Sequence, residues 1–154
     1  MTESNADTTS EAPEEWFKPL LDKVVAEMIR LKAVTGVAVQ ANPVWMMPEE
    51  ILMAKVWGVG HENDFVWTIS VDKLIADYVA GSLAKTPRDV ARHFSLKWQM
   101  DADRILQLEN KKLPIENPDV RIRDYSKKLI HYAETLYELA GRDDAWEQLT
   151  EPGG

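Results

Sequence analysis

The residues best suited to chemistry lie on one predicted helix, where His93, Lys97 and Asp101 recur at four-residue spacing. At about 100° per residue, these side chains lie on or beside an apolar stripe that includes Trp98. An imidazole, an amine and a carboxylate beside an apolar surface form a cluster whose pKa values burial would shift. The alternative is a half-exposed i,i+4 ion pair that contributes ~0.2–0.5 kcal/mol. The sequence leaves both interpretations open.

Six tryptophans are the most unusual feature of the composition. Trp57 and Trp67 fall on one side of a predicted hairpin, from which they could meet Trp98 on the helix. These aromatic side chains either line a ligand pocket or form a core between helix and sheet. A nucleic-acid stacking platform needs interleaved basic residues, and only Lys55 lies near the hairpin, which argues against that partner. The candidate binding residues are His93, Lys97, Trp98, Asp101, Trp57 and Trp67.

Several kinds of chemistry are excluded by the residue types present. The chain has no cysteine, which excludes thiol catalysis, disulfides, iron–sulfur ligation and cysteine-based zinc sites. His61, His93 and His131 do not form a local metal-ligand pair, and the polar turn 61–64 is too short to wrap calcium. Neither a glycine-rich phosphate loop nor a nucleophile elbow occurs. We therefore predict no catalytic residue, no metal and no cofactor.

The net charge of −8 comes from the two ends of the chain. Residues 1–15 contain five acidic and no basic side chains, and residues 141–154 contain four acidic and one basic. The residues between them balance to zero, which argues against a DNA mimic or an inhibitor with one broad acidic face. Residues 85–128 carry 11 basic and 7 acidic side chains, which leaves an anion-binding surface open.

Hydrophobic periodicity predicts a first helix and a β-hairpin. The helix spans about 14–34, has a broad apolar face and ends at Gly36. Residues 51–59 are almost continuously apolar and residues 65–71 alternate, so they form a hairpin with a five-residue turn. A helix starting at Pro48 is the competing interpretation of the first of these segments.

The segments beside the hairpin are predicted from turn and cap residues. Residues 37–40 suggest a short strand, and the prolines in 42–48 indicate a loop that contains Trp45. Residues 72–80 fit a short helix that ends at Gly81.

Two longer helices are predicted in the second half of the chain. Thr86 is an N-cap followed by proline, and the helix that it opens runs to about residue 110. After a linker at 113–118, an amphipathic helix extends to about residue 140. The predicted fold is therefore α+β, with an antiparallel hairpin of two or three strands packed against a long helix and amphipathic helices at both ends. We expect a disordered acidic tail at 1–12, one domain at 13–141 and a frayed acidic end at 142–154.

Two stretches of the sequence carry a family resemblance. They are the aromatic hairpin, Lys55-Val-Trp-Gly-Val59 with Phe65-Val-Trp-Thr-Ile-Ser70, and the helix segment Pro87-Arg-Asp-Val-Ala-Arg-His-Phe-Ser-Leu-Lys-Trp-Gln99. Together they resemble an uncharacterised bacterial family of unknown function over roughly residues 50–105. The resemblance implies the hairpin and brings no substrate, cofactor or catalytic residue.

These observations favour a small, non-catalytic binding or interaction protein. We expect it in the cytoplasm, since neither a secretory signal nor a membrane span is visible in the sequence. The broad face of the first helix predicts a homodimer or another protein partner. Two other functions stay open. One is a small enzyme or ligand-binding domain with its site between the hairpin and the long helix, and the other is an immunity-type toxin inhibitor.

Overall fold

The computed structural model describes residues 16–72, 75–111 and 120–147. The chain divides into two units, one up to Lys85 and one from Thr86 onwards. The single domain at 13–141 and the packing of the hairpin against the long helix therefore stay predictions. The predicted tail at 1–12 and the linker at 113–118 lie outside the described residues.

The first unit begins with helix α1 (Phe17–Arg30). Its buried side chains, Leu20, Val24 and Met28, recur every four residues, and the last two pack against the sheet residues Val56 and Val66. Burial of this stripe is what makes the amphipathic segment helical.

Helix α1 ends four residues earlier than predicted. Lys32 has a φ of 56°, and its N–H donates to Ile29 O while the N–H of Ala33 donates to Met28 O. This pair of hydrogen bonds is a Schellman motif, and Lys32 occupies the left-handed position where glycine is usual. The prediction that Gly36 ends the helix is therefore wrong.

A four-stranded antiparallel sheet follows, with the strand order β1-β2-β3-β4. The strands are β1 (Val39–Met47), β2 (Ile51–Gly58), β3 (Val66–Val71) and β4 (Ile75–Ala80). The α+β class and the central β2–β3 hairpin are confirmed, and the competing helix at Pro48 is wrong. The predicted two or three strands become four because both segments beside the hairpin also pair with it.

Strand β1 replaces the predicted loop around Trp45. Its register with β2 shifts between Pro43 and Trp45, which is a β-bulge. Proline lacks the N–H that a central strand must donate, but it is tolerated at a bulge or in an edge strand such as β1. Pro43 therefore marks an irregularity within a strand rather than a loop.

Strand β4 replaces the short helix predicted at 72–80. The segment pairs with β3 in a continuous register from Val66↔Ala80 to Val71↔Ile75. Alternate residues point to opposite faces, and Tyr78 packs against the cluster formed by α1, β2 and β3. An isolated helix of this length is marginal, whereas pairing with a formed strand satisfies the backbone and suits Ile, Tyr and Val.

The second unit consists of two antiparallel helices, α2 (Pro87–Lys111) and α3 (Val120–Ala140), that pack against each other. The N–H of Asp89 donates to the hydroxyl of Thr86 at 3.1 Å, which confirms the predicted N-cap. The buried face of α3 passes through Ser126, while the neighbouring Tyr125 is exposed.

The chain turns back after α3. The side chain of Trp146 is buried, and its Nε1 donates to Leu139 O at 2.9 Å. The expected frayed acidic end at 142–154 stays a prediction, and residues 148–154 lie outside the described residues. Within the described ranges, every helix is too short or too polar to cross a membrane.

Candidate functional site

The predicted ion pair is formed on the flank of α2. Lys97 Nζ lies 2.8 Å from Asp101 Oδ2, and an unpredicted third member, Arg104, reaches Asp101 Oδ1 at 3.3 Å. The exposed fractions of these side chains are 37% for Lys97, 24% for Asp101 and 64% for Arg104. The carboxylate of Asp101 is therefore partly shielded from solvent and shared by Lys97 and Arg104. This arrangement lies between a half-exposed ion pair and a buried polar cluster, the two interpretations that the sequence left open.

The other predicted site residues on α2 pack against aromatic rings. His93 meets Phe94 edge to face with ring centroids 5.0 Å apart, and Phe94 in turn lies 5.5 Å from Trp98. Phe94 and Trp98 are fully buried, while His93 is half-buried. Trp98 is therefore buried beside Phe94 on the same helix.

Trp57 and Trp67 belong to the sheet unit rather than the helical unit. Trp67 pairs in register with Lys55, so it shares a sheet face with Lys55 and Trp57, as predicted. Lys55 Nζ lies 4.8 Å from the Phe65 ring centroid and 4.9 Å from that of Trp67, which is a cation–π arrangement. Trp67 is buried and its Nε1 donates to Gly81 O and Ala84 O at 3.2 and 2.9 Å. Its polar atom is therefore used within the unit.

A cleft that the sequence did not reveal lies in the helical unit, where α2 begins and α3 ends. Its volume is about 670 Å³, within the usual range for ligand pockets. Three arginines and the buried Ser95 contribute to its lining. The lining residues are Arg88, Arg92, Ser95, Tyr137, Glu138, Ala140, Gly141 and Arg142. We call this site the arginine cleft.

Arg88 joins the start of α2 to the end of α3. Its Nε donates to Ala140 O at 2.7 Å, which satisfies one of the carbonyls left unbonded at the helix end. Its Nη2 donates to Asp143 Oδ1 at 2.9 Å. Arg88 therefore fixes the shape of the cleft as well as contributing charge.

Arg92 and Arg142 are held by neighbouring carboxylates. Arg92 Nη1 lies 3.1 Å from Asp89 Oδ1, and Arg142 donates to both carboxylate oxygens of Asp144 at 3.2 and 2.9 Å. The hydrogen bond from Arg142 lowers the pKa of Asp144 below its ordinary value. Because Arg142 and Asp144 are both largely exposed, solvent screens their attraction and the pair contributes little to stability.

A second, smaller cavity lies further along the same two helices. It has a volume of about 270 Å³ and is lined by Gln99, Asp103, Leu106, Ile130 and Glu134. Both charged residues of this lining are acidic, and Asp103 Oδ2 accepts a hydrogen bond from Gln107 at 3.0 Å. Over the residues that the structure describes, no group of His, Asp and Glu is arranged to hold a metal ion. We call this cavity the acidic pocket.

The sequence contained part of the signal for the arginine cleft. Arg88 and Arg92 are spaced i,i+4 at the start of a helix, within the stretch that has a basic excess. Arg142 is distant in sequence and follows the last helix, so only antiparallel packing of α2 and α3 brings it to the same site. The sequence prediction therefore chose residues on the neighbouring flank of α2 and missed the cleft.

Comparison with known proteins identifies a family without a function. One family model, described as a domain of unknown function (DUF4826), matches residues 14–146. This match agrees with the resemblance seen over roughly residues 50–105 and extends it to most of the chain. Searches of curated proteins and of solved structures found no match.

Proposed function

The chain belongs to the DUF4826 family, and since that family has no assigned function, we propose one from the residues of the chain itself. We propose that this is a non-catalytic binding protein that recognises an anionic group in the arginine cleft. The observation that carries the proposal is that three arginines line one open cavity of about 670 Å³.

The chemistry of arginine supports an anionic ligand. Each guanidinium presents five N–H donors in a planar fork, which matches the two oxygens of a carboxylate or phosphate. Arg92 and Arg142 use only part of this capacity on Asp89 and Asp144. The lining contains three arginines and one acidic residue, Glu138, and each arginine also pairs with an aspartate beside the cleft. An anionic ligand would therefore compete with these aspartates for the guanidinium groups.

The lining residues support recognition rather than catalysis. They contain neither histidine nor cysteine, and their hydroxyl groups belong to Ser95 and Tyr137. Histidine most often performs general acid–base chemistry and arginine does not lose its proton, so Glu138 and Tyr137 are the lining residues of types that could do so. The cleft therefore offers fixed positive charge and hydrogen-bond donors to a ligand.

Titration with simple anions tests this proposal. Two-dimensional NMR with phosphate and acetate, at ionic strength matched with chloride, should shift the amide signals around Arg92 and Gly141. Arg92→Ala and Arg142→Ala should each weaken binding about tenfold, because one charge-assisted hydrogen-bonded group is removed. Arg104→Ala removes an exposed arginine outside the cleft on the same helix and serves as the control. Equal binding by all three variants, or shifts scattered over the whole surface, would refute an anion site at the cleft.

A further inference from the structure

We infer that the arginine cleft has a competitor within the chain itself, in which the carboxylate of Asp143 occupies Arg88 until an anionic ligand displaces it. This inference rests on the proposed anion-binding role of the cleft and concerns the regulation of that site. Asp143 lies three residues after the end of α3, and its Oδ1 accepts a hydrogen bond from Arg88 Nη2 at 2.9 Å. The affinity of the cleft for an anion therefore depends on how firmly this aspartate holds Arg88.

Arg88 is the most shielded of the three arginines in the cleft. The exposed fraction of its side chain is 29%, compared with 57% for Arg92 and 58% for Arg142. A less exposed charge is less screened by water, so an anion at Arg88 is attracted more strongly than one at either of the others. Asp143 thus occupies the strongest of the three anchors that the cleft offers to a ligand.

Asp143 is also the most exposed of the three aspartates that pair with these arginines. Its side chain is 87% exposed, so it returns to water at little cost when a ligand takes its place. Asp89 lies in the first turn of α2, where the positive end of the helix dipole holds a carboxylate. The pKa of Asp144 is lowered by its hydrogen bond with Arg142 and also by hydrogen bonds with the backbone of Asp144 and Ala145. Asp143 is therefore the carboxylate that a ligand displaces most readily.

Arg88 and Asp143 are positioned independently of each other. Arg88 Nε donates to Ala140 O at 2.7 Å, which holds the guanidinium at the end of α3. The backbone oxygen of Asp143 accepts a hydrogen bond from Trp146 N–H at 3.2 Å, and the side chain of Trp146 is buried. Displacement therefore requires only a rotation of the Asp143 side chain, while the backbone on both sides stays in place.

Anion titration of the full chain measures this competition. Asp143→Asn keeps the size of the side chain and removes its charge, so phosphate should bind about two- to sixfold more tightly. An exposed ion pair favours its closed arrangement by a factor of about 1.5 to 5, and the ligand binds the open arrangement. Two-dimensional NMR at matched ionic strength gives the dissociation constants. An unchanged affinity would overturn the inference, and a weaker one would show instead that Asp143 positions Arg88 for the ligand.

Two comparisons separate displacement from a general change of charge. Glu138→Gln removes the same charge from the lining and leaves the hydrogen bond between Arg88 and Asp143 in place, so it should raise phosphate affinity less. In an Arg88→Gln background, Asp143→Asn should have no effect on affinity, because the guanidinium for which the aspartate competes is gone. An equal gain from Glu138→Gln, or a gain that persists without Arg88, would refute the competition. Circular dichroism verifies the fold of each variant, and the Glu138→Gln comparison decides if Arg88→Gln does not fold.

The rotamer of Asp143 provides a direct measurement of displacement. Three-bond NMR couplings across its Cα–Cβ bond report the side-chain rotamer in solution. Phosphate should change these couplings in the wild type, because the carboxylate leaves Arg88 and rotates into solvent. Couplings that stay constant while phosphate binds in the cleft would contradict the displacement.

Different results distinguish a failure of the competition from a failure of the anion site. Phosphate binding in the wild-type cleft that Asp143→Asn does not strengthen would refute the competition and leave the anion site intact. Binding that is detected only in Asp143→Asn would support both, since the aspartate then blocks the cleft. If neither the wild type nor Asp143→Asn binds phosphate or acetate, the proposed anion site is refuted and the competition with it.

Discussion

Replacing Asp101 by alanine measures how much the carboxylate shared by Lys97 and Arg104 contributes to the free energy of unfolding. At 3.3 Å and an effective dielectric constant of about 20, a pair of charges interacts by ~5 kcal/mol before solvent and entropy are counted. The side chains of Lys97, Asp101 and Arg104 are 24–64% exposed. Water therefore screens most of this attraction, and it also hydrates the charges when they are apart. We expect a loss of ~1 kcal/mol in the free energy of unfolding. This value lies above the ~0.2–0.5 kcal/mol of a solvated i,i+4 pair and below the ~3–5 kcal/mol of a buried pair.

Urea unfolding of a double-mutant cycle provides the measurement. Lys97→Ala, Asp101→Ala and the double variant should give a coupling energy of ~0.5–1 kcal/mol, because Arg104 retains part of the interaction when Lys97 is removed. Asp103→Ala is the matched control, as it removes an exposed carboxylate two residues away on the same helix. Its cost should stay within ~0.5 kcal/mol.

Two results would refute this reasoning. A loss of ~3 kcal/mol or more for Asp101→Ala, recovered in the double variant, would show that the pair is fully desolvated. A gain in stability for either single change would indicate charges retained for a ligand at the expense of stability, as expected of a binding site. A gain in stability would make the flank of α2 that carries Lys97 and Asp101 the main site candidate in place of the arginine cleft.

Three other changes test the local structure. Lys32→Gly should raise the free energy of chemical unfolding by ~0.5–1 kcal/mol, because glycine adopts the left-handed conformation of this position without strain and this gain exceeds the added entropy of the unfolded chain. A lower free energy of unfolding would argue against the Schellman motif. Gly58→Ala should cost ~3 kcal/mol or more in the same assay, since its Cβ would lie 1.5 Å from the backbone oxygen of Thr35; an unchanged transition would contradict that close approach. Arg142→Ala should raise the pKa of Asp144 towards its ordinary value in an NMR pH titration, because the hydrogen bond that lowers it is lost. In the wild type, the contribution of this pair is present above the unfolded pKa of Asp144 and disappears as pH falls through the lower folded value. An Asp144 pKa that does not respond to the substitution would exclude Arg142 as its partner.

The sequence by itself determined the elements whose signals are local. The hydroxyl of Thr86 caps α2 by accepting a hydrogen bond from the N–H of Asp89, which is only three residues further along the chain. The apolar alternation that predicts the β2–β3 hairpin likewise lies within the residues of the hairpin. The Lys97–Asp101 contact was predictable for the same reason, because two residues four apart on a helix must be neighbours.

The tertiary structure decided the elements that depend on distant partners. Residues 75–80 carry no decisive local preference, and they become β4 because β3 offers a row of backbone groups to pair with. Pro43 is accommodated in β1 because that strand lies at the sheet edge, a position that only the complete strand order defines. Local propensity is weak against such non-local hydrogen bonding, so the sequence alone misassigned both segments.

The arginine cleft was decided in the same way. Arg92 and Arg142 lie fifty residues apart in the sequence, and no periodicity connects the start of one helix with the end of another. Antiparallel packing of α2 and α3 brings them to one cavity, and the hydrogen bond from Arg88 to Ala140 O joins the two helix ends. Whether such residues form a cluster depends on the distances between them, and the tertiary fold sets these distances, not the spacing of the residues along the sequence.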